Sequence, residues 1–208
     1  MRADSPTQHR ATVAAITLSV ALLLGACSST GGSTPATSPG TAAAAASGAA
    51  RVEVNPAGDI PDNQAFVAYA GTGFSVTTPE GWARSNAGSA VVFSDKYNSI
   101  TITKGAAAQA PSVASAQAHD VPAIKATSHG FVPGAISTVK RKAGTAILIT
   151  YHALSQVNPV TGKVANEAVE RYTFWQSGTS VTLTLAAPVG SDNVDPWRKV
   201  TDSFTWTK

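Results

Sequence analysis

Arg171-Tyr172-Thr173-Phe174-Trp175-Gln176, then Ser177-Gly178, then Thr179-Ser180-Val181-Thr182-Leu183-Thr184-Leu185-Ala186 reads as two strands joined by a two-residue turn. Both arms are rich in β-branched and aromatic residues and alternate apolar with polar, the period of a half-buried strand. Ser-Gly is a turn pair whose glycine accepts a positive φ, which suits a tight antiparallel hairpin. The alternation sets Val181, Leu183 and Leu185 on one face and Thr182 and Thr184 on the other. On the first arm Tyr172 and Phe174 point one way, and Arg171, Thr173 and Trp175 the other.

The same period recurs on the N-terminal side of this hairpin. Gly73 to Thr78 places Phe74 and Val76 inward, and Asn98 to Lys104 places Ile100 and Ile102 on one face with threonines on the other. Thr145 to Tyr151 is apolar on both faces, which predicts a central strand covered on two sides. Ala90 to Phe93 and Phe131 to Arg141 carry fainter strand patterns. Helices are fewer. Alanine-rich Ser112 to Ala118 reads as one helical piece, and Asp120 as the N-cap of a second, with Pro122 in its first turn and Gly130 as its stop. Asp195-Pro196 opens a third, on which Trp197, Val200 and Phe204 fall at helical spacing and lay an apolar stripe on the sheet. The expected fold class is α+β, a central antiparallel β-sheet packed between helices, formed by residues 64–208.

The first 63 residues read differently. Arg2, His9 and Arg10 precede an apolar run from Ala11 to Leu24, which ends in Leu24-Gly25-Ala26-Cys27, and Cys27 is the only cysteine among the 208 residues. A charged start, a short apolar run and small residues before a cut site are the pattern of a secretory signal. The run is shorter than the roughly 20 residues that span a bilayer. Leu24-Gly25-Ala26-Cys27 resembles the lipobox of bacterial lipoproteins, whose cysteine thiol, a nucleophile able to form a stable thioether, takes up a diacylglycerol; the resemblance implies that residues 1–26 are a signal peptide and Cys27 a lipidation site. A secreted protein with an incidental cysteine is the rival reading. Ser28 to Ala50 holds only Ser, Thr, Gly, Ala and Pro, a composition that cannot bury enough apolar surface to order itself. Residues 27–63 are therefore read as lipidated cysteine and flexible tether, with Asn55 to Asn63 as the lead-in. Without the signal 13 basic residues face 11 acidic ones, a net charge of +2. That balance argues against nucleic acid, whose phosphates call for clustered cations.

Two sets of residues carry a resemblance. Gly73-Phe74-Ser75-Val76 followed by Pro79-Glu80-Gly81-Trp82 resembles the opening of the PsbP/Mog1-like fold. Asp192 to Arg198 and Asp202 to Trp206 resemble the C-terminal helix of actinobacterial exported lipoproteins with that fold, the LpqN type included. The resemblance spans most of 64–207 and implies an α/β/α sandwich. It also implies an accessory, assembly or binding role without a shared catalytic site, and it transfers no binding residue.

Chemistry-bearing residues are sparse. Trp82, Trp197 and Trp206 are expected in the core and in helix–sheet contacts. Trp175 lines a groove if helices cover only part of its face, and is buried beneath a helix if they cover it all. No Gly-x-Ser-x-Gly elbow occurs, so no catalytic residue, cofactor or metal ligand is assigned. His119, His129 and His152 lie apart and lack zinc-site spacing, and His129 is placed in the last turn of a helix. Asp192 and Asn193 read as a turn, Asp195 as a helix N-cap, Lys140-Arg141-Lys142 as a solvated hairpin turn, and Gly162-Lys163 as a turn without phosphate-loop residues. Glu167 and Glu170 are carboxylates that could meet others in space and so form the pair a hydrolase needs. Three functions follow: a lipid-anchored binding or accessory module on the extracytoplasmic face, whose partners are the membrane and an unknown envelope protein; a carrier of an apolar ligand; and, least supported, an envelope hydrolase.

Overall fold

The computed structural model describes residues 58–158 and 162–208. Strands run β1 (Phe66–Gly71), β2 (Phe74–Pro79), β3 (Ala83–Ala87), β4 (Ala90–Asp95) and β5 (Asn98–Ala106). After a helical segment come β6 (Val132–Arg141), β7 (Gly144–Leu154), β8 (Asn166–Gln176) and β9 (Thr179–Pro188). The chain closes with helix α3 (Val194–Ser203) and the short strand β10 (Thr205–Trp206). Cys27, the signal and most of the expected tether lie outside the described residues.

β8 and β9 form the expected hairpin, in register from Glu167–Pro188 to Gln176–Thr179. Ser177 and Gly178 both take positive φ, 47° and 81°, as a turn matched to strand twist requires. The hairpin lies within a seven-stranded antiparallel sheet of order β3-β4-β5-β9-β8-β7-β6. β9 occupies its centre. β7, expected there, is the second strand from the edge, yet it is covered on both faces as its sequence predicts. Ala146 and Leu148 join one core, and Ile147, Ile149, Tyr151 and Ala153 join the other.

The first core lies under α3 and a small second sheet, β1-β2-β10. Phe204 is fully buried there, its ring stacked on Phe174 at 4.3 Å and on Phe74 at 5.8 Å. Trp197 meets Trp82 edge-on at 6.3 Å, and Val200 is inaccessible to solvent. The apolar stripe expected of α3 is thus present. Ser203 fastens its C-terminal end to β2, accepting a hydrogen bond from Thr77 N at 2.8 Å.

The second core lies on the opposite face, under one continuous helical run. α1 (Val113–Ser115) passes through a π-helical turn (Ala116–Asp120) into α2 (Val121–Thr127). The sequence predicts two pieces with a cap at Asp120, and the structure corrects both points. Ser112 caps the run by a reciprocal pair with Ser115, at 2.9 and 3.0 Å, and the Asp120 side chain caps nothing. Pro122 contributes no N–H, and the widened turn just before it carries Val121 N–H to Ala116 O. The run ends at Thr127, so His129 lies beyond the last turn and Gly130 is not the residue that stops it.

One further expectation changes, at the start of α3. The Asp195 side chain makes no capping bond; the N-cap position belongs to Asn193, whose side chain serves elsewhere. Asn193 is buried, accepts from Ile60 N at 2.8 Å and donates to Gly58 O at 2.9 Å and Asn98 Oδ1 at 3.2 Å. Asp59 adds a bond from Asp192 N at 2.8 Å, and Ile60 is buried in the first core. Among the described residues, these contacts reach back to Gly58, within the segment read as the lead-in.

Candidate functional site

The helical run is narrower than the sheet, so β4, β5 and β9 are left partly uncovered on that face. Ser99 and Thr101 of β5 and Thr184 of β9 are half-buried there, where the opposite face of the same strands carries buried Ile100, Ile102, Leu183 and Leu185. Register aligns Thr101 with Thr184 and Thr184 with Arg171 across three strands. Two clefts adjoin over this floor. One, of about 360 Å³, lies between Val92, Thr101, Tyr97 and the segment Ser155–Asn158. The other, of about 190 Å³, lies between that segment, His129 after α2, Tyr151 and Thr184. Both are lined by Ser99, Ser155, Gln156 and Glu167.

Glu167 is the residue of most chemical consequence. It projects from β8 beside Val169, opposite Ala153 of β7, and is half-buried. No hydrogen bond from another described residue reaches its carboxyl. Burial pushes its pKa up from 4.5 to about 7, because removal of water disfavours the charged form. The neighbouring Tyr151 hydroxyl is raised as well, first by burial; the Arg171 guanidinium works against that shift and the Glu167 carboxylate adds to it. Arg171 keeps its Nε buried without a partner.

Glu170 is separate from this group. It lies on the other face of β8 and accepts a hydrogen bond from the Tyr172 hydroxyl at 2.7 Å. Arg141 donates to the same hydroxyl at 3.0 Å and to Thr201 Oγ1 at 2.9 Å, tying β6 to α3. Burial, ahead of the Glu170 bond, lifts the Tyr172 hydroxyl far above its ordinary value. Glu167 and Glu170 therefore lie on opposite faces of β8, and Arg141 is a half-buried clamp rather than part of a solvated turn; Lys142 and Ala143 form that turn.

Trp175 is half-buried, beneath a non-helical connection rather than a helix. Its Nε1 donates to Ala107 O at 2.8 Å. With Phe174, Trp206 and Pro111 it lines a shallow pocket of about 270 Å³ at the sheet's far end. His119, His129 and His152 are exposed on separate elements, and among the described residues no three His, Cys, Asp or Glu side chains converge as metal ligands. No helix among the described residues is long and apolar enough to cross a membrane.

With this geometry in hand, solved structures place the chain by shape. The cyanobacterial PsbP protein from Synechocystis is similar over 74% of this chain and 99% of its own, with a TM-score of 0.51 and 13% identity. The Ran-binding protein Mog1p of Saccharomyces cerevisiae matches over 69% and 95%, with a TM-score of 0.44 and 12% identity. LpqN of Mycobacterium tuberculosis, involved in cell envelope biogenesis, matches over 70% and 91%, with a TM-score of 0.40 and 16% identity. Of these three, the cyanobacterial match carries the comparison, and at such identity it speaks of the fold alone. The fold is α+β and PsbP/Mog1-like. No protein-family profile matches the chain, and no curated protein matches its sequence.

Proposed function

We propose that this chain is a lipid-anchored binding or accessory module at the extracytoplasmic face of the cell membrane, without catalytic activity of its own. The observation that carries the reading is Cys27, the sole cysteine, at the end of an apolar run in Leu24-Gly25-Ala26-Cys27 and directly ahead of an uncharged spacer. More than one acyl chain on that sulfur gives durable attachment, at about 0.8 kcal/mol per buried methylene. The folded part then serves as the recognition unit. The test is incorporation of radiolabelled palmitate, with partition into a detergent phase, for wild type and Cys27→Ser. Label and partition in wild type, lost in the variant, support the anchor; equal labelling of both, or of neither, refutes it.

The apolar carrier is the second reading, and the Trp175 pocket is the observation in its favour. Its volume of about 270 Å³ falls below the roughly 300–1,000 Å³ of ligand pockets. Phe74, Phe174, Phe204 and Trp197 fill the space between α3 and the sheet. A filled core between α3 and the sheet favours the accessory module.

A further inference from the structure

We propose that the cleft walled by Glu167, Gln156 and Tyr97 is a carbohydrate-binding site, taking a neutral, polyhydroxylated ligand whose hydroxyls donate to the Glu167 carboxyl. This deepens the reading of the chain as a binding module and is independent of the lipid anchor.

The argument begins with what the cleft offers. Its floor is hydroxyl-bearing, from Ser99 and Thr101, and Gln156 adds an amide at the shared wall. Such groups both donate and accept, as a sugar hydroxyl does. Tyr97 stands half-buried at the rim of the larger cleft, where an aromatic face can cover the apolar C–H side of a pyranose ring. The larger cleft alone, at about 360 Å³, reaches the range of ligand sites, roughly 300–1,000 Å³.

Charge selects among ligands. Glu167 is a half-buried acceptor with no hydrogen bond from the described residues, and burial already costs its charged form part of its hydration. A ligand that brings O–H donors relieves that cost. An ammonium group, drawn to Glu167, would also meet the cation Lys96, which lines the larger cleft, and Arg171 further along β8. An anion would meet Glu167 itself. A neutral polyol avoids both penalties.

The pH dependence follows. Hydroxyls that donate to the ionised carboxylate lower its pKa from about 7 in the complex, so affinity rises with pH across neutrality. If the bound value falls below 5, linkage gives about a tenfold gain between pH 6 and pH 8. The charged and titratable groups facing Glu167 are Tyr151 from β7, Arg171 on β8, His129 after α2 and Lys96 at the β4–β5 turn.

The test uses the full-length chain in an amine-oxide detergent, which carries no sugar. Maltotriose, mannotriose, chitotriose and arabinotriose are titrated at pH 6 and pH 8 with saturation-transfer NMR. At least one binds, with affinity about tenfold higher at pH 8. Glu167→Gln, folded by circular dichroism, binds more weakly and without the pH dependence. His129→Gln retains that dependence, and Trp175→Ala binds as wild type. No saturation transfer from any of the four sugars overturns the proposal. So does a Glu167→Gln protein that binds as wild type at both pH values, or binding abolished by 0.5 M salt, which would mark a charged ligand. Failure here leaves palmitate labelling of Cys27 unaffected, and failure of labelling leaves this site standing.

Discussion

Replacing Glu167 by glutamine removes the one carboxyl among the described residues whose pKa is raised by burial, and stability should then depend less on pH. The pKa is raised from 4.5 to about 7 by burial, so the folded state holds the proton more tightly than the unfolded chain. Linkage gives the sign: the protonated form's advantage is fully present below pH 4.5, shrinks as pH rises through the window to about 7, and is gone above it. In a fully dry site that window is worth about 3 kcal/mol, at roughly 1.4 kcal/mol per pH unit. Glu167 opens to a cleft, so solvent screening reduces this to about 1–2 kcal/mol. For a domain of this size 1 kcal/mol moves Tm by about 2–4 °C, so wild type should lose about 2–8 °C between pH 5 and pH 8 through this group alone. Differential scanning fluorimetry of both proteins at half-unit steps measures it, because the difference between them cancels the other titrating groups. A difference that is flat from pH 4.5 to pH 8, or that favours wild type more strongly as pH rises, refutes the burial argument.

Further outcomes follow from the cores and clamps. Phe204→Ala leaves a void between Phe74 and Phe174 and should cost about 3–5 kcal/mol, read as a lower urea midpoint at unchanged slope. Asn193→Ala strands Ile60 N and Gly58 O; it should cost about 2–4 kcal/mol and make the chain near Gly58 susceptible to limited proteolysis, which wild type resists. Arg141→Lys loses the fork that spans Thr201 Oγ1 and the Tyr172 hydroxyl, a loss of about 1–3 kcal/mol by chemical denaturation.

The β8–β9 hairpin was legible because every local signal agrees: alternation on both arms, a turn pair between them, and cores that receive the faces the pattern assigns. β2, β5 and β7 were legible for the same reason. β3 was not, since all five of its residues are exposed and nothing in them alternates. β1 offers only Phe66 and Tyr69 to the first core, three residues apart and so out of strand period. β10 has two residues and exists because α3 delivers it to β2. The helical run was read as two pieces because Asp120-Pro122 imitates a start signal; the preceding alanine-rich turn is already helical and carries through it. Asn193 resembled a turn residue because its partners Ile60 and Gly58 lie 133 and 135 positions away. Glu167 was visible as a carboxylate, but its cleft is assembled from β5, α2 and the segment after β7. No local window contains those three together.

The open strip that holds this cleft follows from the widths of the two layers. Seven strands at about 4.8 Å spacing make a sheet roughly 29 Å across, whereas a single helix is about 10 Å wide with its side chains. α3 and the three-stranded sheet together cover one face, and there β5 and β9 carry Ile100, Ile102, Val181, Leu183 and Leu185. The run from Val113 to Thr127, with the connections on either side of it, covers part of the other, and the apolar contacts there fall mainly on β7, reaching Val169 of β8 and Ala186 of β9. A fully apolar β5–β9 strip on that side would be an exposed patch prone to association. Thr101, Thr103 and Thr184 stand there half-buried instead, with buried Thr182 beside them; all four are β-branched enough to hold strand conformation, and the first three are polar enough to face water or a ligand. Thr173 and Thr182 share a hydrogen bond at 3.2 Å across the β8–β9 pair, so the strip is ordered as well as wet. The same inequality of layers that leaves Glu167 half-buried also lays a hydroxyl floor beside it, and the cleft is a consequence of how the sandwich is covered rather than of any motif.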